Sequence, residues 1–237
     1  MLDMARTLAA ALAAASFAWS ATIPGGPEGF PFTNENLEYS LNFTSGVKLG
    51  KAHMTARRDP VNGWSFNFVL DASIPAFPII DRFSSYDGLD LCSLRFDRNF
   101  EHGKRKAHEL TWFDRTRSVA VRSTKDGGGL SEIPVGLCPH DGLSFFYYLR
   151  RELGQGRMPP NDVVLAGAAY RVSMVYAGEQ PAVRDGKSIS ADQVNFTIKG
   201  PASETRIQIL FARDAARTPL VVRCPFKVGT FSLELIR

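Results

Sequence analysis

A chain of 237 residues buries roughly 70% of its unfolded surface on folding, so its core needs neither metal nor disulfide staples. Hydrophobic side chains at 44% and charged ones at 22% exclude a disordered chain. A net charge of +4 is too small a basic excess to call for a nucleic acid, and it leaves room only for weak attraction to anionic lipid surfaces.

Residues 1–20 read as a secretory signal peptide. Met1 to Arg6 carries one Arg and one Asp, Leu8 to Ala18 is an unbroken run of Leu, Ala, Ser and Phe, and Ala18-Trp19-Ser20 offers small residues at the positions a signal peptidase reads. The run is too short to span a bilayer, which takes about 20 apolar residues. Pro24, Pro27 and Pro31 then break any helix. No Cys lies at the cleavage site, so no lipoprotein anchor is expected. No later segment is apolar enough to cross a membrane, so no transmembrane segment is expected in the mature chain. The expected location is the periplasm, or outside the cell. Residues 21–35, rich in Pro and Gly, form an extended lead-in, and residues 36–237 form one domain.

From Leu37 the pattern alternates. Leu37, Tyr39, Leu41 and Phe43 share one face, and Trp64, Phe66, Phe68, Leu70 and Ala72 repeat the pattern, as half-buried strands do. Residues 47–58 make a strand between them, with Gly50 as a candidate bulge. Further strands are expected near 82–87, 92–98, 105–113 and 118–123, and residues 125–140 read as irregular. Asp141 is a good N-cap for one helix over 141–153, which Gly154 and Gly156 end. Tyr170 to Tyr176, Val194 to Ile198, Ile207 to Phe211, 219–224 and Phe231 to Leu235 return to strands, with turns at Asp185-Gly186 and Gly200-Pro201. About a dozen short strands and one helix predict a mainly β fold: an antiparallel curved sheet forming a barrel or half-barrel, with the helix at or in its mouth. The 17 Phe residues agree with sheet.

Catalytic chemistry finds little purchase. Ser144 is followed two places later by Phe146, which the tight turn of a nucleophile elbow does not tolerate. His53, His102, His108 and His140 show no metal-ligand spacing, and Cys138-Pro139-His140 has no third ligand nearby. Gly127-Gly128-Gly129 lacks the strand-to-helix setting of a phosphate loop, and Lys104-Arg105-Lys106 reads as a solvated hairpin tip. No catalytic residue, metal site or cofactor is expected, and no enzyme. Cys92, Cys138 and Cys224 are three, so after export at least one stays free or pairs outside the chain.

The motifs Leu37-Glu38-Tyr39-Ser40, Asp81-Arg82-Phe83-Ser84-Ser85-Tyr86-Asp87, Leu94-Arg95-Phe96, Asp141 through Arg150 and Arg217-Thr218-Pro219, in this order, resemble the bacterial family called domain of unknown function 3108. The resemblance covers about residues 35–237. It implies an exported β-rich protein and assigns no catalytic residue; Cys138 and Cys224 depart from its pattern. A looser analogy is to periplasmic lipoprotein carriers, whose half-barrel is plugged by a helix.

The aromatic bias leads to the expectation of an envelope protein that binds an apolar or amphipathic ligand such as lipid. Tyr39, Trp64, Phe66, Phe68 and Trp112 are the expected lining, with Arg82 as a polar anchor. Plain core packing accounts for the same rings equally well. The alternative is a structural or assembly factor that grips an envelope protein through a sheet edge. It predicts a filled core, whereas a hydrolase would need a cleft where Asp, His and Ser converge.

Overall fold

The computed structural model describes residue 32 and residues 34–237, apart from 45, 60, 75–76, 126 and 227–228. Residues 1–20, expected to be a signal peptide, and most of the expected lead-in over 21–35 lie outside the described residues.

The chain first makes an antiparallel meander: β1 (Asn34–Phe43), β2 (Lys48–Asp59), β3 (Gly63–Ile74), β4 (Phe77–Asp87), β5 (Ser93–His102), β6 (Arg105–Asp114), β7 (Val119–Thr124) and β8 (Gly129–Pro134). A two-residue β9 (His140–Asp141) leads directly into α1 (Gly142–Gly154). The second meander follows: β10 (Asp162–Leu165), β11 (Ala169–Arg184), β12 (Lys187–Lys199), β13 (Glu204–Ala212), β14 (Pro219–Phe226) and β15 (Gly229–Leu235). Both meanders join into one sheet because β15 pairs with β1, Tyr39 opposite Leu235. The ladders are antiparallel except between β9 and β10. The sheet is curved but not closed; β8 and β9 are its two edges. Fifteen strands are described where about a dozen were expected. The stretch 125–140 is not wholly irregular, for it contains β8, whose end residues Gly129 and Pro134 mask its alternation, and the first residue of β9.

Gly50 does mark an irregularity. Leu41 faces Gly50 and Asn42 faces Lys48, so Leu49 is the extra residue. A side chain at Gly50 would collide with the backbone of Asp71 and Ala72, so the neighbouring strand approaches too closely for any other residue.

The helix carries two apolar stripes, each with four-residue spacing. Leu143 and Tyr147 pack with β1–β7 residues such as Leu37, Phe66 and Phe96. Phe145, Leu149 and Leu153 pack with Val172, Val194, Ile209 and Phe211 of the second meander. A helix apolar on two sides must be enclosed, and the sheet wraps around it. Asp141 caps it as the sequence predicts, accepting from Leu143 N at 2.8 Å and Ser144 N at 3.1 Å. The start of β5 and the segment before β9 meet near the start of this helix. Ser93 N donates to Pro139 O at 2.8 Å, and a disulfide joins Cys92 to Cys138. Cys224 is a free thiol.

Among the described residues no helix is long and apolar enough to cross a membrane.

Candidate functional site

The interior is solid on one side of the helix and open on the other. On the solid side the rings of Phe66 and Tyr147 stack 4.0 Å apart, Trp64 lies 5.8 Å from Phe66, and Phe32 abuts Trp64 and Tyr147. Tyr39 donates its hydroxyl to Pro219 O at 2.9 Å. Arg150, fully buried, donates to both oxygens of Glu35 at 2.5 and 2.7 Å. Tyr147 donates to the same carboxylate at 3.1 Å. Burial drives the Tyr147 phenol well above its ordinary range, so it stays a neutral donor.

On the open side, alternation and register set one row of side chains across the sheet. Met54 of β2 faces Phe68, Phe68 faces Phe83, and Phe83 faces Arg98. This row, with Phe96, forms one wall of a cavity of about 460 Å³. The first turns of the helix, Gly142, Leu143, Phe145 and Phe146, form a second wall. The third is aliphatic and comes from the other meander: Val172, Ile198, Ile207, Ile209, Val222 and Leu233 among others. The volume falls within the range of small-molecule pockets, roughly 300–1,000 Å³. Arg98 is the one charged residue of the described lining. Its guanidinium pairs with Glu109 at 2.9 Å and lies 4.4 Å from the Phe100 ring.

Of the six residues expected to form the site, Phe68 alone lines this cavity. Tyr39, Trp64 and Phe66 belong to the solid side and are at most 3% exposed. Arg82 and Trp112 are corrections. On β4 the inner face carries Asp81, Phe83, Ser85 and Asp87, so Arg82 projects outward. On β6 the inner face carries Thr111 and Phe113, which leaves Trp112 outside and 43% exposed. The charged residue that does line the cavity is Arg98, for which the sequence carried no expectation. Its signal was the alternation of Phe96, Arg98 and Phe100 on β5, a charge flanked on its own face by two buried rings.

A second polar group lies at the helix start. Asp87, Asp141, Ser85, Ser93 and Ser144 converge there, each at most 1% exposed. Ser85 Oγ is 2.5 Å from Asp87 and 2.5 Å from Asp141, and Ser93 Oγ donates to Asp141 at 2.8 Å. Burial first, then the charge of Asp141, push Asp87 well above the usual carboxylate range. Asp and Ser thus do converge, each almost wholly buried beside the helix N-terminus. His140 points elsewhere, to Asp162 at 2.7 Å, and Cys138 is spent in the disulfide. Among the described residues no group of three or more His, Cys, Asp or Glu could hold a metal ion.

The family model described as protein of unknown function (DUF3108) matches residues 38–236. A crystal structure of a β-barrel-like protein of domain of unknown function DUF1849 from Brucella abortus superimposes with a TM-score of 0.62. The two share 9% sequence identity, over 88% of this chain and 98% of that one, so the likeness is one of fold. No curated protein matches the chain.

Proposed function

The chain belongs to the DUF3108 family, and we propose that it is an envelope protein that holds an apolar or amphipathic ligand, such as a lipid, between its helix and its sheet. The observation that carries this reading is the cavity of about 460 Å³, walled mostly by Phe, Ile, Val and Leu. Protein interiors pack to crystal-like density. An apolar space of this size that opens to solvent therefore loses both packing and hydrophobic stabilisation unless a guest fills it. Export to the periplasm is part of the same proposal. It is supported by the leader-like residues 1–20 and by the bridge between Cys92 and Cys138, which suits an oxidising compartment. The role proposed is binding without catalysis.

The test is uptake of a hydrophobic dye and of lipid by the purified mature chain, with mass spectrometry of any lipid that co-purifies. Saturable uptake, displaced by lipid, is expected. A protein that takes up no dye and carries no lipid is not a carrier.

One observation favours the alternative of an assembly factor. Among the described residues β8 pairs only with β7, and Leu130 on it is 76% exposed. An extended segment of another envelope protein could add to this edge. Crosslinking from β8 in intact cells would capture such a partner.

A further inference from the structure

We infer that the ligand is a single-chain anionic amphiphile, a long-chain carboxylate, with its head group at Arg98 and Arg122 on the cavity rim and its tail along the apolar walls. This rests on the cavity being a ligand site.

Three charged side chains meet at that rim. Arg98 of β5 faces Glu109 of β6, and Thr111 of β6 faces Arg122 of β7. Arg122 shares the inner face of its strand with Ala120, which is fully buried. Arg122 Nη1 donates to Gly167 O in the turn between β10 and β11. A side chain at Gly167 would strike the ends of Arg98 and Glu109, so all three groups crowd the same turn. That turn adjoins Ala166 and Tyr170, both of which line the cavity.

The charge count is unbalanced: two guanidinium groups against the one carboxylate of Glu109. Glu109 is engaged by Arg98 at 2.9 Å. Arg122 has no carboxylate partner among the described residues, and its Nε is buried without a hydrogen bond. A guanidinium carries five N–H donors in a planar fork. Leaving them unmet away from water is costly, and a carboxylate accepts two of them in parallel. One further negative charge would neutralise the cluster.

Volume limits the tail. If a methylene occupies about as much room as a water molecule, ~30 Å³, the cavity of about 460 Å³ takes on the order of fifteen carbons. That is one acyl chain, not two.

The experiment displaces a hydrophobic dye from the full mature protein with three probes of equal chain: palmitate, methyl palmitate and cetyltrimethylammonium. Palmitate is expected to bind about tenfold or more tightly than the ester, and the cation most weakly. Arg98→Gln and Arg122→Gln should each remove most of that preference, and Glu109→Gln should strengthen palmitate binding. Circular dichroism checks that each variant folds. If either Arg variant does not, the wild-type ranking and Glu109→Gln still decide. Equal binding of palmitate and its ester, or preference for the cation, overturns the head-group assignment but keeps the cavity as an apolar site. If no probe displaces dye because no dye binds, the carrier reading falls with it.

Discussion

Ser85 has one hydroxyl hydrogen and two carboxyl neighbours, Asp87 and Asp141, each at 2.5 Å. One hydrogen satisfies one of them. The other contact requires a proton on a carboxyl, and Asp87 is the group that holds it. Burial raises Asp141 too, but Asp141 also receives Leu143 N, Ser144 N and Ser93 Oγ, all of which favour its charged form, so it is the less displaced of the pair. Asp87 has Ser85, and its Oδ2 has no hydrogen-bond partner among the described residues. Folded Asp87 therefore keeps its proton at pH values where an unfolded aspartate, with a pKa near about 3.9, has lost it. Between those two values the native state binds more protons than the unfolded state, so its stability declines as pH rises, by at most about 1.4 kcal/mol per pH unit for one group. Asp87→Asn keeps a donor for Ser85 and removes the titration. The variant should be more stable than the parent at pH ~8, with the difference shrinking toward pH ~4. Urea unfolding at both pH values checks this, and parallel curves for the two proteins would refute it. Nothing in the sequence marked these serines as one cluster, since no spacing links residues 85, 93 and 144. Arg82 was a different kind of miss. The alternation was legible, but which face of β4 turned inward depended on Phe83 and Asp87 outweighing Arg82 and Tyr86.

At the scale of elements, the helix is the part most firmly tied down. Its N-terminus is held by the bridge between Cys92 and Cys138, which closes a loop of 46 residues. Breaking a bridge of that span is expected to lower stability by about 2–4 kcal/mol. Cys92→Ala with Cys138→Ala, compared with the parent by thermal unfolding, measures it; an unchanged midpoint would mean the bridge adds nothing. Toward its C-terminus, Arg150 holds Glu35 of β1 and also donates to the carbonyl of Ala216. Arg150→Met would leave the Glu35 carboxylate, 8% exposed, facing a buried position without its cation. A loss of about 3–5 kcal/mol is expected, and Glu35→Gln in the same background should recover part of it. The helix and its cap were legible because Asp141 precedes two interleaved apolar stripes closed by Gly and Pro. Most strands were legible for the same reason, a period of two between turn residues. β8 and β9 were not. They are short, exposed or flanked by Gly and Pro, and they exist because β7 and β10 offer ladders to pair with.

For the whole molecule, the consequence of an open sheet wrapped around a helix is an interior of unequal halves. Both halves are lined by the same residue types, so composition could not tell them apart; the distinction arises only when two meanders meet on the helix. On the Tyr147 side, Phe32, Trp64 and Phe66 fill the space, whereas the Phe145–Phe146 side leaves the cavity between the Phe68–Phe83 row and residues such as Ala166 and Ile198. Opposite responses to substitution follow. Phe66→Ala opens a void in packed core and should lose about 3–5 kcal/mol. Ile198→Trp adds bulk where room already exists, so it should fold with little or no loss. In dye uptake the order reverses: Ile198→Trp should weaken it by occupying part of the guest's place, while Phe66→Ala, to the extent that it folds, should keep it. Urea midpoints and dye titrations on the two variants measure both effects. A large destabilisation by Ile198→Trp, with no dye taken up by parent or variant, would mean that the second half is as tightly filled as the first, and the open sheet would then be a scaffold filled by its own side chains with no place for a guest.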